Sequence, residues 1–465
     1  MANKRHVVVG AGPAGLRAIE TIRAHESDSS ITLIGDEPAY SRMVLPYYLS
    51  GDIHEKAVFT GDDGYFAGLN VETKFGARIT GIDAGAKSVS LSDGSTVGYD
   101  NLLIATGSSA TRPPIDGADL PGVQNMWDIE DARNFKANVP AGSNIVIVGA
   151  GFIGLIILDG LHGGGHNITF VELESNILPR MINSEAAEVV EAWLDRHGVK
   201  CITGTSVSRI GRHDSHCDVK LGNGDKMEAD TVVMATGIRP NMDFASVAGV
   251  ATRQGILVDG RMATNVDGIY AAGDVAEGPV LHSDSKAVHA IQPTAFEHGR
   301  VAGCNMAGLD VSYAGSVGFN VVDAVGLQVA SFGDWQSDAD TTVVSSSITS
   351  IYRRLSWDGD RIVGAVMVGR ASDVGALNDV GMVKGFIQAG TRLGKWKDYL
   401  NENPLDVRKP YVACKVAEGL LKSTLTGGES AGRGYRHDNL AAKTHRSQWH
   451  GVLVGGIPEA DSGSG

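Results

Sequence analysis

Residues 5–37 read RHVVVGAGPAGLRAIETIRAHESDSSITLIGDE, which is strand, glycine turn, helix and strand in succession. Residues 6–9 are a short β-branched run, residues 16–24 carry apolar groups at helical spacing, and residues 31–34 are a second apolar run. Gly10-Ala-Gly12-Pro13-Ala14-Gly15 lies between the first strand and the helix in a G-x-G-x-x-G arrangement. The first glycine permits a tight turn, the second lets a pyrophosphate approach the backbone, and the third lets helix and strand pack closely. Phosphate oxygens would sit at the helix N-terminus, where free N–H groups and the dipole favour negative charge. Asp36 and Glu37 close the second strand, and one of them is expected to accept hydrogen bonds from a ribose 2′-hydroxyl.

Nearly the same grammar returns at residues 144–172, NIVIVGAGFIGLIILDGLHGGGHNITFVE. Here Gly149-Ala-Gly151-Phe152-Ile153-Gly154 is the turn, and Glu172 ends the second strand. A carboxylate at that position binds an adenosine ribose diol and repels a 2′-phosphate, which predicts NAD(H) over NADP(H). One such glycine motif alone is weak; two, each in full βαβ context with its acid in place, imply two nucleotide domains built alike.

Working outward, residues 88–99 read as a hairpin turning at Asp93-Gly94, and residues 217–227 as another turning at Asn223-Gly224. Each hairpin precedes an apolar run that ends in Ala-Thr-Gly: Ala105-Thr106-Gly107 and Ala235-Thr236-Gly237. A further buried run, GIYAAGD from Gly268, ends on Gly273-Asp274. From about residue 317 the texture changes. Residues 351–368 read as a two-stranded ribbon turning at Asp358-Gly359, residues 373–389 as a helix, and phosphate-binding glycines are absent.

A chain of 465 residues exceeds one compact domain, and 61 glycines without a Gly-X-Y period fit many strand-to-helix turns. The net charge of −14 argues against nucleic acid as a partner, because phosphate binding needs clustered Lys and Arg. Cys201, Cys217, Cys304 and Cys414 lie far apart and form no C-x-x-C pair, as in a reducing compartment. No apolar segment suggests a signal peptide, and the longest uncharged run, residues 141–158, contains four glycines. No membrane insertion is expected, and the location expected is cytoplasmic.

The ordered set GAGPAG, ATG, GAGFIG, ATG and GIYAAGD resembles the pyridine-nucleotide-disulfide oxidoreductase superfamily, over roughly residues 5–415. The resemblance implies an α/β, glutathione-reductase-like fold: two Rossmann-type dinucleotide-binding domains and a C-terminal α+β interface domain. It puts FAD in residues 1–115 with 255–316, NAD(H) in residues 116–254, and the interface domain in residues 317–414. Residues 415–465 are left as a polar extension suited to docking a partner. The resemblance further implies that Asp274 hydrogen-bonds the ribityl chain or pyrophosphate of FAD. It sets Pro293, Thr294 and Ala295, at a helix start, against the flavin pyrimidine edge, where the helix dipole stabilises negative charge on reduced flavin.

The departures narrow the branch. No cysteine precedes Cys201, so the C-x-x-x-x-C pair of the disulfide reductases is missing. Where a single-cysteine branch reads N-C-G-L-P-Y-Y, this chain reads Arg42-Met43-Val44-Leu45-Pro46-Tyr47-Tyr48, and a thioether cannot serve as a redox thiolate. What remains is similar to ferredoxin and rubredoxin reductases and the flavin portion of assimilatory nitrite reductases, with Tyr40-Ser41-Arg42 among the matching residues. That branch carries a lysine near flavin N5 and a glutamate after the second glycine motif; here Tyr47 and Ile156 stand in those places. Tyr47, beside Pro46, is then a candidate to close the flavin face, or else an aromatic packed at a domain seam. No acid–base residue is expected, since hydride transfer needs none.

His282, His289 and His298 read as hydrogen-bonded structural residues, and the spacing of His437, His445 and His450 gives no compact metal site. Three exits for electrons remain open: an iron–sulfur carrier or a subunit of a larger oxidoreductase, a self-contained NADH oxidase or small-molecule reductase, and a redox sensor without turnover. The first is favoured, because thiol chemistry is excluded and residues 422–446 are locally basic. A homodimer is the default by analogy.

Overall fold

Val7, Val8 and Val9 are β-branched and almost wholly buried, as residues of a central parallel strand must be. In the computed structural model, which describes residues 4–214 and 216–426, they belong to the strand Arg5–Val9. Ser30–Gly35 and Asn101–Ile104 flank it in parallel, with Val9 opposite both Ile34 and Ile104. Val71–Phe75 and Ile269–Ala271 complete this five-stranded sheet at its two edges. The helices Pro13–His25 and Gln292–Met306 cross over it, and Gly299 and Gly303 allow their backbones to meet: a Cβ at Gly299 would lie 2.2 Å from Ala14 O.

The second unit repeats the plan. Asn144–Val148 lies in parallel between Asn167–Val171 and Thr231–Met234, with Lys200–Ile202 and Val123–Asn125 outside them. The two units are stitched directly after their Ala-Thr-Gly motifs, where Ser108–Ala110 pairs antiparallel with Ile238–Pro240.

Both expected hairpins form, with Gly94 at φ +83° and Gly224 at φ +97° in the turns. Each gains an unforeseen leading strand, Ile79–Asp83 and Val207–His213. Register shifts at Ile79/Gly81 and Val207/Arg209 break the alternation that would have revealed these strands.

The third region is an antiparallel sheet ordered Phe319–Asp323, Leu327–Gly333, Arg361–Arg370, Ile351–Asp358, Thr341–Ser346. The helix Val374–Ala389 packs on it, started by Asp373, whose Oδ1 accepts from Gly375 N at 2.8 Å and Ala376 N at 3.2 Å. An end to this region at residue 414 is overturned. The helix Val416–Thr426 continues it, with Val416 and Leu420 joining the same buried cluster as Phe386 and Leu400. The rest of the expected extension, including His437, His445 and His450, lies outside the described residues.

The core does not respect the expected boundaries. One buried cluster holds Leu45 and Leu49 from the first unit, Leu155 and Leu158 from the second, and Val322, Val329 and Tyr352 from the third. The helix Ser184–Arg196 also joins the second unit to the third sheet: Asn183 Nδ2 donates to Tyr352 OH at 2.7 Å and Arg196 Nη2 to Ser350 Oγ at 2.9 Å. Among the described residues, no helix is long and apolar enough to cross a membrane.

Candidate functional site

The C-terminal ends of the two parallel sheets face a common cleft of about 1180 Å³, larger than a typical site for one small ligand. Its two ends are built alike. Gly10 has φ +116°, and a Cβ there would lie 2.0 Å from Ala105 O; Gly149 has φ +100°, and its Cβ would lie 2.5 Å from Ala235 O. The alanine of each Ala-Thr-Gly therefore presses its carbonyl onto the first glycine of the facing motif. Gly15 and Gly154 stand behind the wall, where a Cβ would meet Gly10 O at 1.9 Å and Gly149 O at 2.4 Å. Gly12 and Gly151 line the cleft and would meet nothing within 4 Å. Bare backbone at the start of two helices, open toward a cavity, fits a pyrophosphate at each end.

Acids line the cleft near both cradles. Asp36 and Glu37 both line the cleft. Asp36 Oδ2 accepts from Arg78 Nη2 at 2.7 Å, while Glu37 Oε2 accepts from Arg42 Nη2 at 2.8 Å and Tyr40 OH at 3.1 Å. At the other end Glu172 is buried, and its oxygens accept from Ala150 N at 2.7 Å and Glu174 N at 3.0 Å. Asp274 is half-buried in the wall beside Gly273, and Ser108 Oγ donates to it at 2.9 Å. Burial holds the Asp274 carboxyl above the usual carboxylate range, with Ser108 and Arg42 opposing.

Ser108 is a node that the sequence did not reveal. Its carbonyl also accepts from Trp127 Nε1 at 3.1 Å and Arg42 Nη1 at 3.3 Å, and the Arg42 guanidinium lies 5.0 Å from the Trp127 ring. Asn241 was likewise silent. It ties the first Ala-Thr-Gly to the second unit, donating from Nδ2 to Thr106 O at 2.9 Å and accepting at its carbonyl from Thr106 Oγ1 at 2.8 Å. Phe319, Asn320 and Val321 bring the third region into the wall. No local pattern marks these residues, because chain segments far apart in sequence bring them to the cleft.

Ala105, Thr106, Gly107, Ala235, Thr236, Gly237, Pro13, Ala14, Phe152, Ile153, Pro293 and Ala295 also line the cleft. Thr294 does not; it is buried, and its Oγ1 accepts from Ser316 Oγ at 3.3 Å. Tyr47 is the main correction. Met43, Leu45, Pro46 and Ile156 line the cleft, but Tyr47 is outside the wall and 52% exposed. Helical phase separates it from Pro46, its neighbour on the helix Leu45–Ser50. Its phenol is held above the usual range by burial, then by Asp159 and Asp323, groups at the seam with the third sheet.

The four cysteines are free, and none lines the cleft. Burial, then Glu191 and Asp195, pushes the Cys201 thiol up to about 12, where it is inert. His298 departs from the hydrogen-bonded reading: neither ring nitrogen finds a partner, and burial lowers its pKa to about 4. His282 keeps a bond, with Nε2 3.1 Å from Gln388 O.

Residues 4–295 match the family described as pyridine nucleotide-disulphide oxidoreductase. The chain belongs to that family. It is 33% identical over 333 residues to the NADH-dependent phenylglyoxylate dehydrogenase subunit epsilon of Aromatoleum evansii, covering 71% of this chain and 79% of that one. It is 30% identical over 274 residues to rubredoxin-NAD(+) reductase of Pseudomonas putida, covering 58% and 71%. Among solved structures, a NAD-dependent persulfide reductase from A. fulgidus superposes with a TM-score of 0.77 at 30% identity, covering 84% and 78%. This member of the pyridine nucleotide-disulphide oxidoreductases is thus an FAD-containing, NAD(P)H-dependent oxidoreductase with two Rossmann-type units.

Proposed function

We propose that this oxidoreductase exchanges a hydride with NAD(H) and passes electrons, through FAD, to an iron–sulfur protein, either a separate carrier or a partner subunit of a larger redox complex. One observation carries the reading: among the described residues the cleft wall holds Met43 but no cysteine and no histidine. Without a thiol at the site, electrons have no route out through disulfide chemistry. A relative named as a subunit of a dehydrogenase and another named for rubredoxin point the same way.

FAD, when bound, supplies the exchange between a two-electron hydride donor and a one-electron acceptor. The chain's part is to bind and orient. In this reading Gly10, Gly12, Pro13, Ala14 and Gly15 receive the FAD pyrophosphate, with Asp36, Glu37 and Arg42 along the adenosine half. Ala105, Thr106, Gly107, Gly273, Asp274, Pro293, Thr294 and Ala295 serve the ribityl and flavin half, Thr294 from behind the wall. Gly149, Gly151, Phe152, Ile153, Gly154, Ala235, Thr236 and Gly237 take the nicotinamide dinucleotide. Glu172 selects NADH over NADPH, because a 2′-phosphate would meet a buried carboxylate.

The test is an anaerobic titration of the purified protein with NADH, followed in the visible, and then admission of air. The expected result is an equimolar flavin that NADH bleaches, that air restores slowly, and that an iron–sulfur carrier restores quickly. A colourless protein that FAD cannot reconstitute would sink the proposal. Immediate recolouring in air with sustained NADH consumption would replace it with a self-contained oxidase.

A further inference from the structure

The helix Phe152–Gly163 makes three unlike contacts along its length. Its first turns border the cleft through Phe152, Ile153, Ile156 and Ile157. Gly160 continues that face, at the i, i+3/i+4, i+7 spacing of one helical stripe. There it meets Pro46, itself part of the cleft wall. A Cβ at position 160 would lie 2.5 Å from Pro46 O, 2.9 Å from its Cα and 3.0 Å from its carbonyl carbon. All three are backbone atoms, so no rotamer change makes room. The third contact belongs to the neighbouring residue: Asp159 Oδ1 accepts from Val325 N at 2.7 Å. The same residue is held again by Trp193 Nε1, which donates to Val325 O at 3.0 Å. Val325 has φ +55°, rare for a β-branched residue and sustained only where its surroundings hold it. The helix is therefore fixed on one side by the Leu45–Ser50 helix of the first unit and on another by the third sheet.

We propose that Gly160 is a positioning residue, whose missing side chain sets the spacing between the Leu45–Ser50 and Phe152–Gly163 helices and hence the approach of nicotinamide to flavin. This rests on the functional reading above and deepens it. The step governed is the transfer of one hydride, with its electron pair, from NADH to oxidised flavin, leaving NAD⁺. A methyl group at position 160 needs about 3.5 Å from carbon or oxygen, so the helices must part by roughly 1 Å. A misplacement of that size costs a reacting pair about 10²-fold in rate.

The test uses full-length holoprotein and the variants Gly160→Ala and Gly163→Ala. A Cβ at Gly163 would meet only the Ser50 Cβ, at 3.3 Å, which makes it the control. Anaerobic stopped-flow bleaching by saturating NADH is measured with flavin content, Tm and a crystal structure of each variant. G160A is expected to keep its flavin, to show the two helices moved apart, and to bleach about 10²-fold more slowly. G163A is expected to bleach at nearly the unsubstituted rate. A lower Tm for G160A with an unchanged rate per bound flavin would make Gly160 merely structural and overturn the proposal. Should G160A fail to fold, Asp159→Ala, which cuts the opposite hold on the same helix, takes its place: slower bleaching supports the proposal and an unchanged rate overturns it. If NADH does not bleach the unsubstituted protein, the functional reading falls and takes this inference with it; an equal rate in the variant removes the inference alone.

Discussion

Glu172 holds both carboxylate oxygens against main-chain N–H groups, those of Ala150 and Glu174, and so reaches the cleft already oriented. Each oxygen keeps lone-pair capacity for a ribose hydroxyl. Hydrogen bonds to a charged group are worth about 1.5–3 kcal/mol, or roughly 10- to 100-fold in affinity. Glu172→Ala should therefore raise KM for NADH at least about tenfold and narrow its advantage over NADPH, with the flavin spectrum unchanged; steady-state kinetics with both coenzymes checks this. Asp159 offers a pH test. Burial, with Asp323 facing it, lifts its carboxyl to about 6, and Val325 N–H opposes. Asp323 is itself raised by burial, and Tyr47 stands near both carboxyls. The folded protein thus keeps the Asp159 proton where the unfolded chain, with a carboxyl near about 3.9, has lost it. That contribution to stability is full below pH of about 4 and is lost as pH rises through about 6. Asp159→Asn retains an oxygen for Val325 and cannot ionise. Its Tm should match the unsubstituted protein at about pH 3.5 and exceed it at about pH 8, as read by calorimetry. Gly10 and Gly149 were legible in the sequence because their work involves backbone, which a motif specifies. Tyr47 was not, because the phase of a six-residue helix is set by what packs on it.

At the scale of elements, the helix Val374–Ala389 was read from its first residue, since Asp373 is a strong cap and Gly390, at φ +57°, a natural stop. Asp373→Ala should cost about 1 kcal/mol, seen as a lower midpoint in urea without change in the flavin spectrum. The two βαβ units and the ribbon of the third sheet were legible for the same reason: periodicity and turn chemistry are local. The strands Ile79–Asp83 and Val207–His213 were hidden by bulges, and the helix Val416–Thr426 by exposed residues around its few buried ones. What makes the last a helix of the third region is packing against a partner remote in sequence.

Across the whole molecule, the sequence marks three textures, whereas packing joins the second and third regions through a shared core and through Asn183, Trp193 and Arg196. Burial of that kind couples unfolding. In calorimetry the second and third regions should melt together, and residues 116–254 expressed alone should aggregate. Two separate transitions assignable to those regions would contradict this. The same shared core carries a lesson for anyone hoping to re-tool the enzyme by exchanging its coenzyme module with that of a cousin. A chimaera cut at residues 116 and 254 would expose raw apolar faces on graft and host alike. The transplantable cassette is instead the second region with the third and the Leu45–Ser50 helix, moved as one piece.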